Sequence, residues 1–168
     1  MLILFSVLRF VHIIAGIFWA GGAVLMNLII GPAIGATGDA GKQFVGHLMG
    51  KTIFSKFMLA SGAITVLAGS ILYGIDSNWF SSGWMMSPTG TGFGIGAISG
   101  IIALVFGFLI GSTNGKLALL GMQIQGKPTN EQLAALGALR KRQVIVTNGN
   151  TIFILISIAL MASARLFG

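Results

Sequence analysis

An all-α, integral membrane four-helix bundle is the fold class this sequence predicts, and three observations carry the prediction. Of 168 residues, 55% are hydrophobic and only 8% are charged, whereas a soluble domain carries about a quarter charged residues. The mean hydropathy of +0.94 agrees with that shortfall. Apolar residues gather in four segments, about 3–31, 57–75, 93–114 and 146–165, each near the ~20 residues that a span requires. One transmembrane domain covering residues 1–168 is the expected organisation.

The first segment is the most informative. Residues 2–31 contain only two ionisable side chains, Arg9 and His12. No basic stretch followed by a short apolar run and a small-residue cleavage site precedes it, so a retained span is expected rather than a signal peptide. Residues 41–56 mix apolar and basic side chains, which suits a short interfacial helix or an extension of the second span. In the second span Gly62, Thr65 and Gly69 share one face. The stretch 76–92 holds Trp79, Phe80, Trp84, Met85, Met86 and Pro88, a composition expected at the headgroup level, with a docking surface as the alternative.

In the third span Gly92, Gly96, Gly100, Ala103, Gly107, Gly111 and Gly115 make a nearly continuous small-residue stripe. Such a stripe lets helix backbones approach closely, or makes room for a flat cofactor. After Pro128, Thr129 and Gln132 form a capping-box pattern, so a helix is predicted to begin there and run through Arg140, Lys141 and Arg142 into the fourth span. Spans three and four then form a long hairpin. Thr147, Asn148, Asn150 and Thr151 are placed to hydrogen-bond across helices or to line a small polar pocket.

The formal net charge is +7, but the basic residues are scattered and form no soluble basic face, so nucleic acid is not an expected partner. Topology accounts for the charge. Lys42, Lys51, Lys56, Lys116, Lys127, Arg140, Lys141 and Arg142 fall in two connections on one side, and only Arg9 and Arg165 lie toward the other. The positive-inside rule then puts both termini on the outer side.

The absence of cysteine removes disulfides, thiolate metal sites and cysteine nucleophiles together. The only carboxylates, Asp39, Asp76 and Glu131, offer no pair for acid and base work. His12 is therefore the residue most suited to report function. An ionisable side chain within a span costs roughly 2.5–3.5 kcal/mol or more unless it is satisfied. His12, Gly16, Trp19, Ala23 and Met26 share a helical face directed into the bundle, with Arg9 just beyond its edge. Two readings are open. In one, His12 ligates haem iron, Arg9 neutralises propionates and Gly16 leaves room for the ring. In the other, a neutral His12 is hydrogen-bonded to a Thr, Ser or Asn of a neighbouring helix. His47 lies beyond the end of the first span, roughly 28 Å or more from His12 along the helix, so one haem cannot bridge the two. Met161 and Ser157 sit near the depth of His12, and a His and Met pair is geometrically conceivable.

The segment Phe10 to Ile30, with His12, six intervening residues, Trp19, Ala20, Gly21 and Gly22, and then Pro32, resembles the first helix of the copper-resistance protein D superfamily. Its H-x6-W-x-G core is also similar to HemJ-type protoporphyrinogen oxidases, small four-helix membrane proteins that bind a b-type haem. Ser61, Gly62 and Gly69, and a last span ending Met161 to Arg165, extend the likeness more loosely. The resemblance implies that His12 corresponds to the histidine of haem ligation. Those enzymes carry a functional lysine early in the third helix, and residues 93–104 contain none. Haem binding is thus the implied property, rather than protoporphyrinogen oxidation.

The expected function is binding of haem b through His12, Arg9, Gly16, Trp19 and Met161, with a role in electron transfer or as a small redox subunit. The expected setting is the prokaryotic cytoplasmic membrane, with lipid as one partner and a homo-oligomer or larger membrane complex as another. A copper-handling protein using His47, Met49, Met26, Met58 and Met122 is one alternative. A cofactor-free accessory subunit of a larger membrane complex is the other.

Overall fold

The computed structural model describes residues 2–166, all helix and turn with no strand among them. Helix α1 (Leu2–Leu25) passes through a π-helical turn (Met26–Ile30) into α2 (Gly31–Ala36), and together they make one 35-residue apolar rod. Pro32 accounts for the wide turn. It has no N–H to offer the carbonyl four residues back, and its ring crowds that carbonyl. The backbone widens, and the Gly31 N–H bonds the Met26 carbonyl instead.

Residues 41–56 resolve into a separate short helix, α3 (Asp39–Lys51), and the start of α4 (Phe54–Asp76). At the head of α3, Lys42 lies 2.7 Å from Asp39. Its hydrogen bond and charge hold the Asp39 carboxyl below the usual carboxylate range. A single-turn helix, α5 (Ser82–Met85), precedes α6 (Pro88–Gln123). The Ser87 side chain accepts from the Gly90 N–H at 3.1 Å, and Pro88 sits where its missing N–H has no cost. The last helix, α7 (Asn130–Ser163), closes with a 3₁₀ turn (Ala164–Leu166). Its capping box forms as predicted, with bonds of 3.2 Å to the Thr129 hydroxyl and 2.9 Å to the Gln132 side chain.

Among the described residues, four helical rods are therefore long and apolar enough to cross a membrane. They outrun the predicted spans. Helices α6 and α7 have 36 and 34 residues, about 54 and 51 Å at 1.5 Å per residue, against an apolar layer of ~30 Å. The sequence windows followed hydropathy, whereas the helices continue until their caps. Beyond the apolar portion the two remain joined, with Gln143 donating to Asn114 at 3.0 Å.

Helices α1 and α4 pack antiparallel through alternating large and small residues. Met58 lies against Gly22, Trp19 against Gly62, Thr65 against Gly16 and His12 against Gly69. The steps of three and four along each helix are those that bring ridges into grooves. Helices α6 and α7 pair in the same sense: Met161 lies against Gly96, Ser157 against Gly100, and the Asn150 side chain donates to the Ala103 carbonyl at 2.7 Å.

The small-residue stripe of α6 is discontinuous as an interface. Gly92, Gly96 and Ala103 are buried, whereas Gly111 and Gly115 are exposed, and an added Cβ there would meet nothing within 4 Å. A four-residue step overshoots one helical turn by about 40°, so the far end of the stripe rotates away from α7.

Trp19, Ala20, Ala103 and Ile154 form the buried apolar centre where the two hairpins meet. Asn27 ties the hairpins together further along, donating to Thr151 at 2.8 Å and to Asn148 at 3.3 Å. Asn148, Asn150 and Thr151 of the fourth span thus bond across helices, as the sequence allowed.

Candidate cofactor site

On the other side of that apolar centre, the two hairpins enclose a cavity of about 750 Å³ lined from all four spans. Its floor is Trp19, Ala20 and Ile154, and its walls are almost wholly apolar. Arg9, His12, Gly16, Trp19 and Met161, the five residues singled out from sequence, all line it. A shallower hollow of about 280 Å³ between α2 and α3, bounded by Ile30, Thr37 and Phe44, carries no ionisable group.

His12 is half-buried, and its Nδ1 lies 2.8 Å from the Thr65 backbone carbonyl of α4. A carbonyl can only accept, so Nδ1 carries the proton and donates it; in the neutral ring Nε2 then holds the free lone pair. Among the described residues Nε2 has no hydrogen-bond partner. The partner of Nδ1 is thus a threonine of a neighbouring helix, one of the residue types the sequence suggested, and it bonds through its backbone carbonyl; the Thr65 hydroxyl is engaged with the Ser61 carbonyl at 2.7 Å.

Gly69 makes this bond possible. A side chain four residues on from Thr65 would cover that carbonyl, and a Cβ at position 69 would stand 2.7 Å from His12 Cε1 and 2.9 Å from Nδ1. Gly16 in turn faces the Thr65 methyl, which would lie 3.5 Å from a Cβ at position 16, so its first role is in the helix seam, although its surface also reaches the cavity. Gly96 and Gly100 line the cavity opposite, beside Met161 and Ser157.

Several lining residues are ones that the sequence places elsewhere or does not single out. Tyr73, Trp84 and Phe93 close one end of the cavity, Trp84 standing edge-on to Tyr73 at 5.3 Å and stacked on Phe93 at 6.4 Å between centroids. The expected headgroup belt is therefore divided: Trp79 and Phe80 are exposed, while Trp84 is half-buried and turned inward. The bend responsible is a run of positive φ at Asn78, Trp79 and Phe80 (48°, 56° and 72°). Buried Ser77 pins it, its hydroxyl accepting from the Phe80 N–H at 2.9 Å and donating to the Gly74 carbonyl at 3.2 Å. Asp76 and Arg165 complete the lining at the same end as Arg9.

The other sequence candidates have separate neighbours. His47 is exposed on α3, Met49 touches Ser55, Met58 packs on Gly22, and Met122 is exposed near the end of α6. Among the described residues no three of His, Asp and Glu converge as a metal-binding group. Compared with known proteins, the chain matches no family model, no curated protein and no solved structure.

Proposed function

We propose that this chain is an integral membrane protein, with both termini on the outer side, that binds haem b through His12 and serves in electron transfer as a small redox subunit. The observation that carries the reading is the state of the His12 ring. Its Nδ1–H is held by a backbone carbonyl at 2.8 Å while Nε2 is free beside a large apolar cavity. A metal-ligating histidine is oriented in this way, the second nitrogen fixing the tautomer and raising the basicity of the first.

The residues present fit the group. A volume of about 750 Å³ falls within the ~300–1,000 Å³ typical of cofactor sites, as does an apolar lining with few polar groups. Glycines 16, 96 and 100 keep the lining low where a flat ring needs clearance. Arg9 is at the mouth for propionates, and Met161 lines the cavity from α7 as the candidate second ligand. When bound, haem supplies reversible one-electron chemistry. The likeness of Phe10–Ile30 to the copper-resistance protein D superfamily supports the same reading. Eight of the ten Lys and Arg lie at the end opposite the mouth, which supports the orientation.

The test is an optical spectrum of detergent-purified protein before and after dithionite, for wild type and His12→Ala. Wild type is expected to show a Soret band and b-type bands that sharpen on reduction. His12→Ala is expected to insert and purify without them, since insertion depends on the apolar runs. Wild-type protein lacking a Soret band after haem is supplied during expression would overturn the proposal, and the cofactor-free subunit would replace it.

A further inference from the structure

The cavity is not sealed on every side. Helix α1 packs along α4, and α6 packs along both α4 and α7, but α1 and α7 touch over a short stretch only. They converge at the Trp19, Ala20 and Ile154 centre and at the Asn27 bonds. Toward the terminal end Ile13, Ile17 and Ile158 line the cavity and are also 47%, 60% and 47% exposed on the apolar exterior. The α1–α7 seam is therefore a slot that opens where lipid would lie. From the level of Arg9 to that of Gly21 is twelve residues of helix, about 18 Å.

Two guanidiniums stand at the head of this slot, Arg9 on α1 and Arg165 in the 3₁₀ turn that follows α7. Asp76, from α4, is the third charge of the lining. The only ion pair within 4.0 Å among the described residues is Lys42–Asp39, so neither arginine is neutralised by Asp76. Two cations over a long apolar slot match a ligand with an apolar body and an acidic head.

We infer that Arg165 is a second anion-binding residue of this cavity, clamping with Arg9 the acidic head of an amphiphile that is drawn sideways from the bilayer through the α1–α7 slot. This rests on the reading of the cavity as a ligand site; it does not require iron ligation by His12. Haem b, with two carboxylates on one edge, belongs to this ligand class, and so does a fatty acid. Asp76, a carboxylate in the same lining, acts against the clamp by repelling the acidic head.

The test uses Trp19 as the only reporter, in a Trp79→Phe, Trp84→Phe background in phosphatidylcholine nanodiscs. Trp19 is 7% exposed and lines the cavity floor, so a bilayer-borne quencher reaches it only by entering. The probes are mid-chain dibromostearic acid and its methyl ester. The acid is expected to quench Trp19 at about tenfold lower mole fraction than the ester, as loss of a charge-assisted hydrogen bond predicts. Arg165→Gln, with Arg9 still in place, is expected to reduce that preference severalfold while leaving quenching by the ester intact, which also reports a folded cavity. Asp76→Asn is expected to strengthen the preference. Equal quenching by acid and ester in the reporter background, no quenching by either, or an unchanged preference in Arg165→Gln each overturns the inference. Failure of the haem reading is separate: it is a missing Soret band with the acid preference intact.

Discussion

The imidazole of His12 occupies the space that a side chain at Gly69 would fill: a Cβ there would lie 2.7 Å from Cε1 and 2.9 Å from Nδ1. The same contact exposes the Thr65 carbonyl to the ring, so a packing feature of the helix seam also sets the tautomer of the one histidine in the apolar region.

Gly69→Ala is therefore expected to displace the ring and break its bond to Thr65. Overpacking and an orphaned N–H each cost about 1–3 kcal/mol. Thermal unfolding in detergent should show a lower midpoint, and any haem absorbance should shift or vanish. A midpoint and spectrum matching wild type would mean that the ring has room elsewhere.

Two glycines that look alike in sequence should behave differently. Gly62→Leu would drive a branched side chain into Trp19, whose ring is already 3.0 Å from a Cβ at that position, and is expected to prevent assembly of the α1–α4 hairpin. Gly111→Leu enters open space and should leave monodispersity and melting unchanged. Loss of folding in Gly111→Leu would reveal a further contact on that face.

Asn150 is 3% exposed and donates to the Ala103 carbonyl at 2.7 Å. Asn150→Ala should lower stability by about 0.5–2 kcal/mol, the range of interhelical hydrogen bonds within apolar bundles. Steric-trap or denaturant unfolding of the purified protein measures it, and a neutral result would show that the Ala103 carbonyl gains nothing beyond its helical bond.

Met161→Leu preserves volume against Gly96, where the methionine carbons lie at 3.3 Å from a Cβ. If the thioether is the second axial ligand, the variant should bind haem in a five-coordinate, high-spin form with a displaced Soret maximum. A low-spin spectrum identical to wild type would assign Met161 to packing alone.

If the orientation proposed from the basic connections holds, a reporter that is active only in the cytoplasm, fused after Gly168, should be silent. Activity from that fusion would invert the orientation.

What sequence alone determined is the part of this protein governed by local rules. Apolar run length marks the four rods, because a span must satisfy its backbone within itself. Caps mark their ends: the Thr129 and Gln132 box was legible, and Ser87 with Pro88 carries a similar signal within the stretch read as an outer belt. The solitary His12 and Arg9 were legible because charge is rare in such a segment.

Tertiary structure alone decided which faces meet. The partner of His12 is a backbone carbonyl, and every residue has one, so no side-chain pattern could name Thr65. The glycine stripe lost its far half to helical drift, and that depends on where α6 and α7 cross. Trp84, Asp76 and Arg165 reach the cavity from a bend, a helix end and a terminal turn. Their convergence with His12 follows from how two antiparallel hairpins pack, because residues far apart in the chain share a site only when long-range contacts bring their elements together.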